Sequence, residues 1–148
     1  MLQVSVPRQK LAWSLFGLRL GIFIVMVMWT VDKFVNPEHA AAVFKTFYMI
    51  EGLSNMGAYV VGALQAAVIL AFLVGFQKRW STGLVLAMHL VSTLTPMARY
   101  FDPWAGSNLL FFAAWPMLFA IVALYILRDY DTQFSVAATV PASKGSSS

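Results

Sequence analysis

Cysteine is absent from the 148 residues of the chain. That excludes a disulfide framework, thiolate-ligated zinc, an iron–sulfur cluster and any thiol–disulfide relay through this chain. Histidine occurs only as His39 and His89, so a metal centre here would need mostly oxygen ligands. Charge is also scarce: Asp, Glu, Lys and Arg make up 11% of the residues, against about 25% in an average soluble domain. A soluble chain of this size would have too few charged groups to cover its surface. Disorder, collagen, a coiled coil and a nucleic-acid-binding domain are excluded on the same composition. What is abundant is apolar: 60% of the chain is hydrophobic and 15% aromatic, with a mean hydropathy of +0.75. The chain reads as an all-α membrane protein whose direct surroundings are the lipid bilayer.

At about 20 residues per span, four helices use up most of the chain and leave little for a soluble domain. The apolar runs predict spans over 11–33, 54–76, 81–100 and 107–127 within one domain, 1–131, and a flexible tail over 132–148. The first run is longer than the apolar core of a signal peptide and ends in Trp29, Thr30, Val31, Asp32 and Lys33, so it reads as a retained span. Between the first two spans, Asn36 suits an N-cap and Pro37 a first helical residue. Val43, Phe44, Phe47 and Tyr48 then fall on one face, which predicts a short amphipathic helix lying at the interface. Pro116 is expected to kink the fourth span. Ala58, Gly62 and Ala66 give the second span a stripe of small residues for close helix packing.

Orientation follows from Lys and Arg. One side carries Arg8, Lys10, Lys78, Arg79, Arg128 and Lys144, and the other only Lys33, Lys45 and Arg99. The positive-inside rule puts both termini in the cytoplasm.

Three polar side chains fall within the predicted spans. Arg19 lies eight residues past Leu11, and His89 eight past Ser81, each about 12 Å along its helix. Gln65 lies eleven residues before Phe76, about 16 Å from the same side. Helical periodicity predicts one polar-bearing face per helix: Arg19, Met26, Thr30 and Lys33 on the first, Glu51, Ser54, Ala58, Gln65 and Phe72 on the second, and Thr82, His89, Ser92, Thr93, Pro96 and Tyr100 on the third. If these faces meet, Arg19, Gln65, His89 and Thr93 form a ligand-binding layer, with an outer mouth at Lys33, Glu51 and Tyr100. The competing reading is structural. Arg19 snorkels to the interface, Gln65 is interhelical glue, and His89 is neutral and hydrogen-bonded to a neighbouring helix such as the one bearing Gln65. No catalytic residue and no metal site is indicated, because no nucleophile–base pair, metal-ligand spacing or phosphate loop is visible.

The pattern resembles the DoxX-like family of small four-helix inner-membrane proteins over roughly residues 15–100. The residues that carry it are Arg19 and Gly21 early in the first span, Lys33 and Pro37 at its end, and the run Gly75, Phe76, Gln77, Lys78, Arg79 closing the second. Thr30 stands where that family usually has Gly, and Gln65 where it often has Glu. The resemblance implies a bacterial inner-membrane protein associated with redox systems, in which a quinone is the candidate cofactor.

Three functions follow as expectations. The first is a non-catalytic accessory subunit of a quinone-linked redox complex, with polar groups holding the quinone carbonyls and aromatics its ring. The second is a structural or assembly partner of a larger membrane protein, or a homo-oligomer, without any ligand; the aromatic fourth span would then be a contact surface. The third is a small transporter or channel, which lacks the paired broken helices usual in transporters.

Overall fold

The computed structural model describes residues 4–136. These residues are helical without strands. Six α-helices occur among them: α1 (Arg8–Val35), α2 (Pro37–Tyr48), α3 (Asn55–Leu73), α4 (Lys78–Leu94), α5 (Met97–Tyr100) and α6 (Ala114–Ile126). A 3-10 segment, Asn108–Ala113, runs into α6, and a 3-10 turn, Arg128–Tyr130, follows it. Three stretches are long and apolar enough to cross a membrane: Arg8–Val35, Asn55–Leu73 and the continuous Asn108–Ile126.

The four longest helical stretches close a ring. α1 packs on α3, α3 on α4, α4 on α6, and α6 back on α1. The centre is built from Leu15, Ile22 and Met26 of α1, Ile69 and Phe72 of α3, Val85 of α4, and Ile121 and Leu124 of α6. Burial along α1 runs Ala12, Leu15, Arg19, Ile22, Met26, Thr30, a spacing of three and four that keeps one face inward. On α3 the buried face is Ala58, Gly62, Ile69 and Phe72, and Gln65 lies within that face, half-buried.

Two helix ends differ from the sequence expectation. The third predicted span, 81–100, is divided: α4 stops at Leu94, and α5 is a separate turn after Pro96. Proline cannot supply the N–H that would continue the ladder, although Thr95 before it keeps helical angles, φ −60° and ψ −39°. Pro116 does not kink a helix interior. α6 begins at Ala114, so Pro116 sits in its first turn, where a missing N–H costs little. The chain enters that turn as 3-10 helix.

α2 has the expected face. Val43, Phe44, Phe47 and Tyr48 are all half-buried, while Lys45 and Thr46 are exposed. Phe47 packs on Phe111 with ring centroids 5.7 Å apart, and the Tyr48 and Ser92 hydroxyls are hydrogen-bonded at 2.8 Å. Asn36 occupies the N-cap position without a side-chain cap bond; its amide lies 3.4 Å from Asp32 Oδ1 instead.

The turn between α3 and α4 is tight because of Gly75. Its φ of +66° closes α3 through two bonds, Gly75 N–H to the Phe72 carbonyl and Phe76 N–H to the Ala71 carbonyl. This is the Schellman arrangement, in which glycine takes the left-handed position without steric cost.

α4 is inside out by the standards of a soluble helix. Apart from Val85, the residues it buries are polar, Ser81, Thr82, His89 and Thr93, while it exposes Leu84, Leu90, Val91 and Leu94. Close packing elsewhere depends on a missing side chain: a Cβ at Gly62 would lie 2.9 Å from the Phe34 ring and 3.2 Å from Lys33 Cβ. Gly62→Leu is expected to force α1 and α3 apart and to destabilise the fold by about 1–3 kcal/mol. Thermal unfolding in mild detergent measures it, and an unchanged melting temperature would contradict the packing.

Candidate functional site

The strongest polar feature is at the α3–α4 turn end of the bundle. Arg19 is 1% exposed. Its Nη1 donates to Asp131 Oδ2 at 2.7 Å, and its Nη2 donates to the backbone carbonyls of Gln133 and Phe134. Arg19 therefore neither faces lipid nor reaches water. A long side chain on a helix points back toward the N-terminus. The guanidinium thus meets the chain segment that follows α6.

That segment, residues 131–136, holds the last residue of the expected domain and the start of the expected tail, 132–148. Its described part packs against the bundle, and residues 137–148 lie outside the described residues. Val136 N–H donates to the Val74 carbonyl at 2.9 Å. The Phe134 ring sits 5.1 Å from Phe16 and 6.0 Å from Trp13. Lys78 donates to the carbonyls of Arg128 and Asp131. The absence of a side chain at Gly75 matters here a second time, since a Cβ would crowd the Ser135 side chain, lying 3.0 Å from its Cβ.

Asp131 is the residue that sequence reasoning missed. The available signal was Arg19 itself: a buried guanidinium needs a carboxylate, and Asp129 and Asp131 are the acids that follow the last span on the same side. Burial pushes the Asp131 carboxyl above its ordinary value, while Arg19 and Lys78 pull the other way.

The predicted layer of Arg19, Gln65, His89 and Thr93 is not assembled. Arg19 Nη1 lies beside Gly75, ten residues and so about 15 Å along α3 from Gln65. The Gln65 side chain, within α3, makes no hydrogen bond among the described residues. His89 and Thr93 do belong together. The Thr93 hydroxyl donates to the His89 carbonyl at 2.7 Å, and His89 Nε2 lies 3.0 Å from the Ala114 carbonyl. A carbonyl only accepts, so Nε2 carries the proton, and the helix His89 contacts is α6, not the α3 helix bearing Gln65.

The expected outer mouth is likewise divided. Lys33 Nζ donates to the Trp29 carbonyl of its own helix at 3.0 Å. Glu51 is exposed and pairs with Lys45 at 3.6 Å. The Tyr100 hydroxyl turns inward, donating to the Thr93 carbonyl at 2.8 Å and reaching the Phe111 carbonyl at 3.5 Å. Tyr100 and His89 thus supply donors to carbonyls around the 3-10-to-α junction, where the regular ladder is interrupted. No group of three or more His, Asp and Glu side chains suited to a metal ion occurs among the described residues. Comparison of the chain with protein-family models, curated proteins and solved structures finds no match.

Arg19→Met should destabilise the protein by about 3–5 kcal/mol at neutral pH, because it leaves a buried carboxylate without its partner. Without the guanidinium the Asp131 carboxyl rises further above its unfolded value. The stability it leaves is then fully present below the unfolded value and lost as pH rises through the folded one. The deficit of the variant should therefore shrink from pH 7 to pH 5. Asp131→Leu added to Arg19→Met should recover most of the loss. Chemical unfolding in detergent at the two pH values measures both effects, and a pH-independent deficit would argue against the pair.

Proposed function

We propose that the chain is a four-span integral membrane protein acting as a non-catalytic accessory subunit of a larger membrane assembly. α1, α3, α4 and the stretch Asn108–Ile126 are its spans, and α2 lies at the outer interface. Both termini face the cytoplasm of a bacterial inner membrane in this reading. The observation that supports α4 as a span is its polarity: Leu84, Leu90 and Leu94 are exposed while Ser81, Thr82, His89 and Thr93 face the bundle beside Val85. In water that arrangement is unfavourable, and in hydrocarbon it is the expected one.

The ligand-free form of the reading has the better support. Arg19, His89, Thr93 and Tyr100 each have a hydrogen-bond partner inside the chain. A quinone-linked redox complex is the assembly to which the DoxX-like resemblance points. A transport route through Lys33, Glu51 and His89 has less in its favour, since each is engaged separately. The contact surface proposed is the outward face of the fourth span, where Leu110, Phe119 and Ile126 are exposed.

Tagged protein extracted gently from its source membrane should carry a larger membrane protein in fixed ratio, read by native mass spectrometry. Phe119→Ala should reduce that ratio severalfold while the bundle stays folded. A bare monomer from several detergents would remove the assembly reading, and flux in liposomes abolished by His89→Ala would favour transport. Because the chain has no cysteine, Glu38→Cys and Arg79→Cys can be labelled singly. An impermeant thiol reagent should reach the first from outside intact cells and the second only after lysis. Labelling of both from one side would remove the four-span topology.

A further inference from the structure

Residues 131–136 are attached to the bundle differently from the rest of the described chain. The apolar core and the side chains packed against it reach no further than Leu127. Of residues 131–136 only Asp131 is buried, and Phe134 and Val136 are 70% and 69% exposed. The attachment is polar and local. Asp131 pairs with Arg19, and the carbonyls of Gln133 and Phe134 accept from the same guanidinium. Lys78 donates to the Asp131 carbonyl, and Val136 N–H donates to the Val74 carbonyl at 2.9 Å. The Phe134 ring lies against Phe16 and Trp13.

Two features oppose that attachment. The first is polar. Arg19 Nε, Asp131 Oδ1 and Ser135 Oγ are buried at this contact without a hydrogen-bond partner among the described residues. Each loses water when the segment docks and gains no partner in exchange. The second is conformational. Phe134 has a φ of +46°, in the left-handed region, which is an outlier for a bulky side chain. Strain of this kind persists only where surrounding contacts impose it, and it collects at switch segments. Undocking hydrates the three polar atoms and releases the Phe134 backbone. The connection permits it, because the segment follows the 3-10 turn Arg128–Tyr130 and contributes nothing to the core. A permanent seal would pair its buried polar atoms and bury its aromatic ring.

We propose that residues 131–136 form a latch that swings off the end of the bundle as a unit, uncovering Arg19 and Lys78 while the packed helices stay folded. Closed, the latch leaves Arg19 1% exposed and turns Lys78 inward. Open, water takes the place of the Asp131 carboxylate and the latch carbonyls as acceptors, and Trp13 and Phe16 lose the Phe134 ring. The latch thus sets whether this end of the bundle presents neutral chain or two positive charges beside an aromatic edge. The ion pair suits that role, since such a pair specifies an arrangement more than it stabilises one.

Because the chain has no cysteine, single thiols in the full chain report the opening. Ser135→Cys reports the latch, Val85→Cys the core, and Val4→Cys, at a position 84% exposed, the unprotected rate. In mild detergent, a water-soluble thiol reagent should label Ser135→Cys about a thousandfold more slowly than Val4→Cys, the factor that breaking one buried ion pair implies. Val85→Cys should be at least about tenfold slower again, because its exposure requires the whole bundle to open. Added denaturant should speed Val85→Cys steeply and Ser135→Cys little, since opening the latch exposes little surface. Asp131→Asn should speed labelling of Ser135→Cys at least about tenfold. Hydrogen exchange at the Val136 amide of the unaltered chain gives the same reading if Ser135→Cys does not dock. Equal protection of Ser135→Cys and Val85→Cys with the same response to denaturant would show that the segment opens only with the bundle, and would overturn the proposal. So would unprotected exchange at Val136, or an Asp131→Asn variant whose Ser135→Cys labels at the original rate.

Discussion

The buried ion pair between Arg19 and Asp131 ties the two ends of the described chain together. Arg19 belongs to the first helix and Asp131 to the segment after the last, 112 residues apart. A guanidinium cannot shed its proton, so once buried it must be surrounded by acceptors. Asp131 supplies one, and the carbonyls of Gln133 and Phe134 supply two more. The consequences spread outward. Residues 131–136 must lie under the bundle, Gly75 must lack a side chain to admit Ser135, and Lys78 must turn inward to cover the carbonyls of Arg128 and Asp131. The pair is not completely satisfied: Arg19 Nε and Asp131 Oδ1 are buried without partners. Such a pair specifies an arrangement more than it stabilises one.

At the opposite end of the bundle, neutral hydrogen bonds hold the structure. Pro96 ends the long run of α4 there, Pro116 lies in the first turn of α6, and the chain between passes through a short helix and a 3-10 segment. Interrupted backbone is tolerated inside a bundle only where side chains supply the missing bonds. His89 and Tyr100 do so across α4, α5 and the start of the last helix, and Tyr48 joins α2 to the same region through Ser92. The side chains most suggestive of chemistry in the sequence are therefore engaged in joining helices. What remains open to the surroundings among the described residues is apolar face and a basic rim, which is why the proposed function turns on partners and not on a reaction.

Much of this was legible in the residues. Composition and long apolar runs determine that the protein is helical and membrane-like, because charge this scarce cannot cover a soluble surface. The α2 face of Val43, Phe44, Phe47 and Tyr48, the polar face of α4, and the turn at Gly75 all follow from local periodicity or from a single backbone preference. The end of α4 at Leu94 and the start of α6 at Ala114 were less legible, since a proline marks a boundary without saying which side of it stays helical. Only the tertiary structure decided what the polar groups do. Depth counted along separate helices placed Arg19 level with Gln65 and His89, but a flexible side chain reaches several ångströms from its own Cα. Its partner was determined by where residue 131 returns in space. Helical phase is a property of consecutive residues and can be read from them, whereas the acceptor of a buried proton is chosen by packing between segments far apart in the chain.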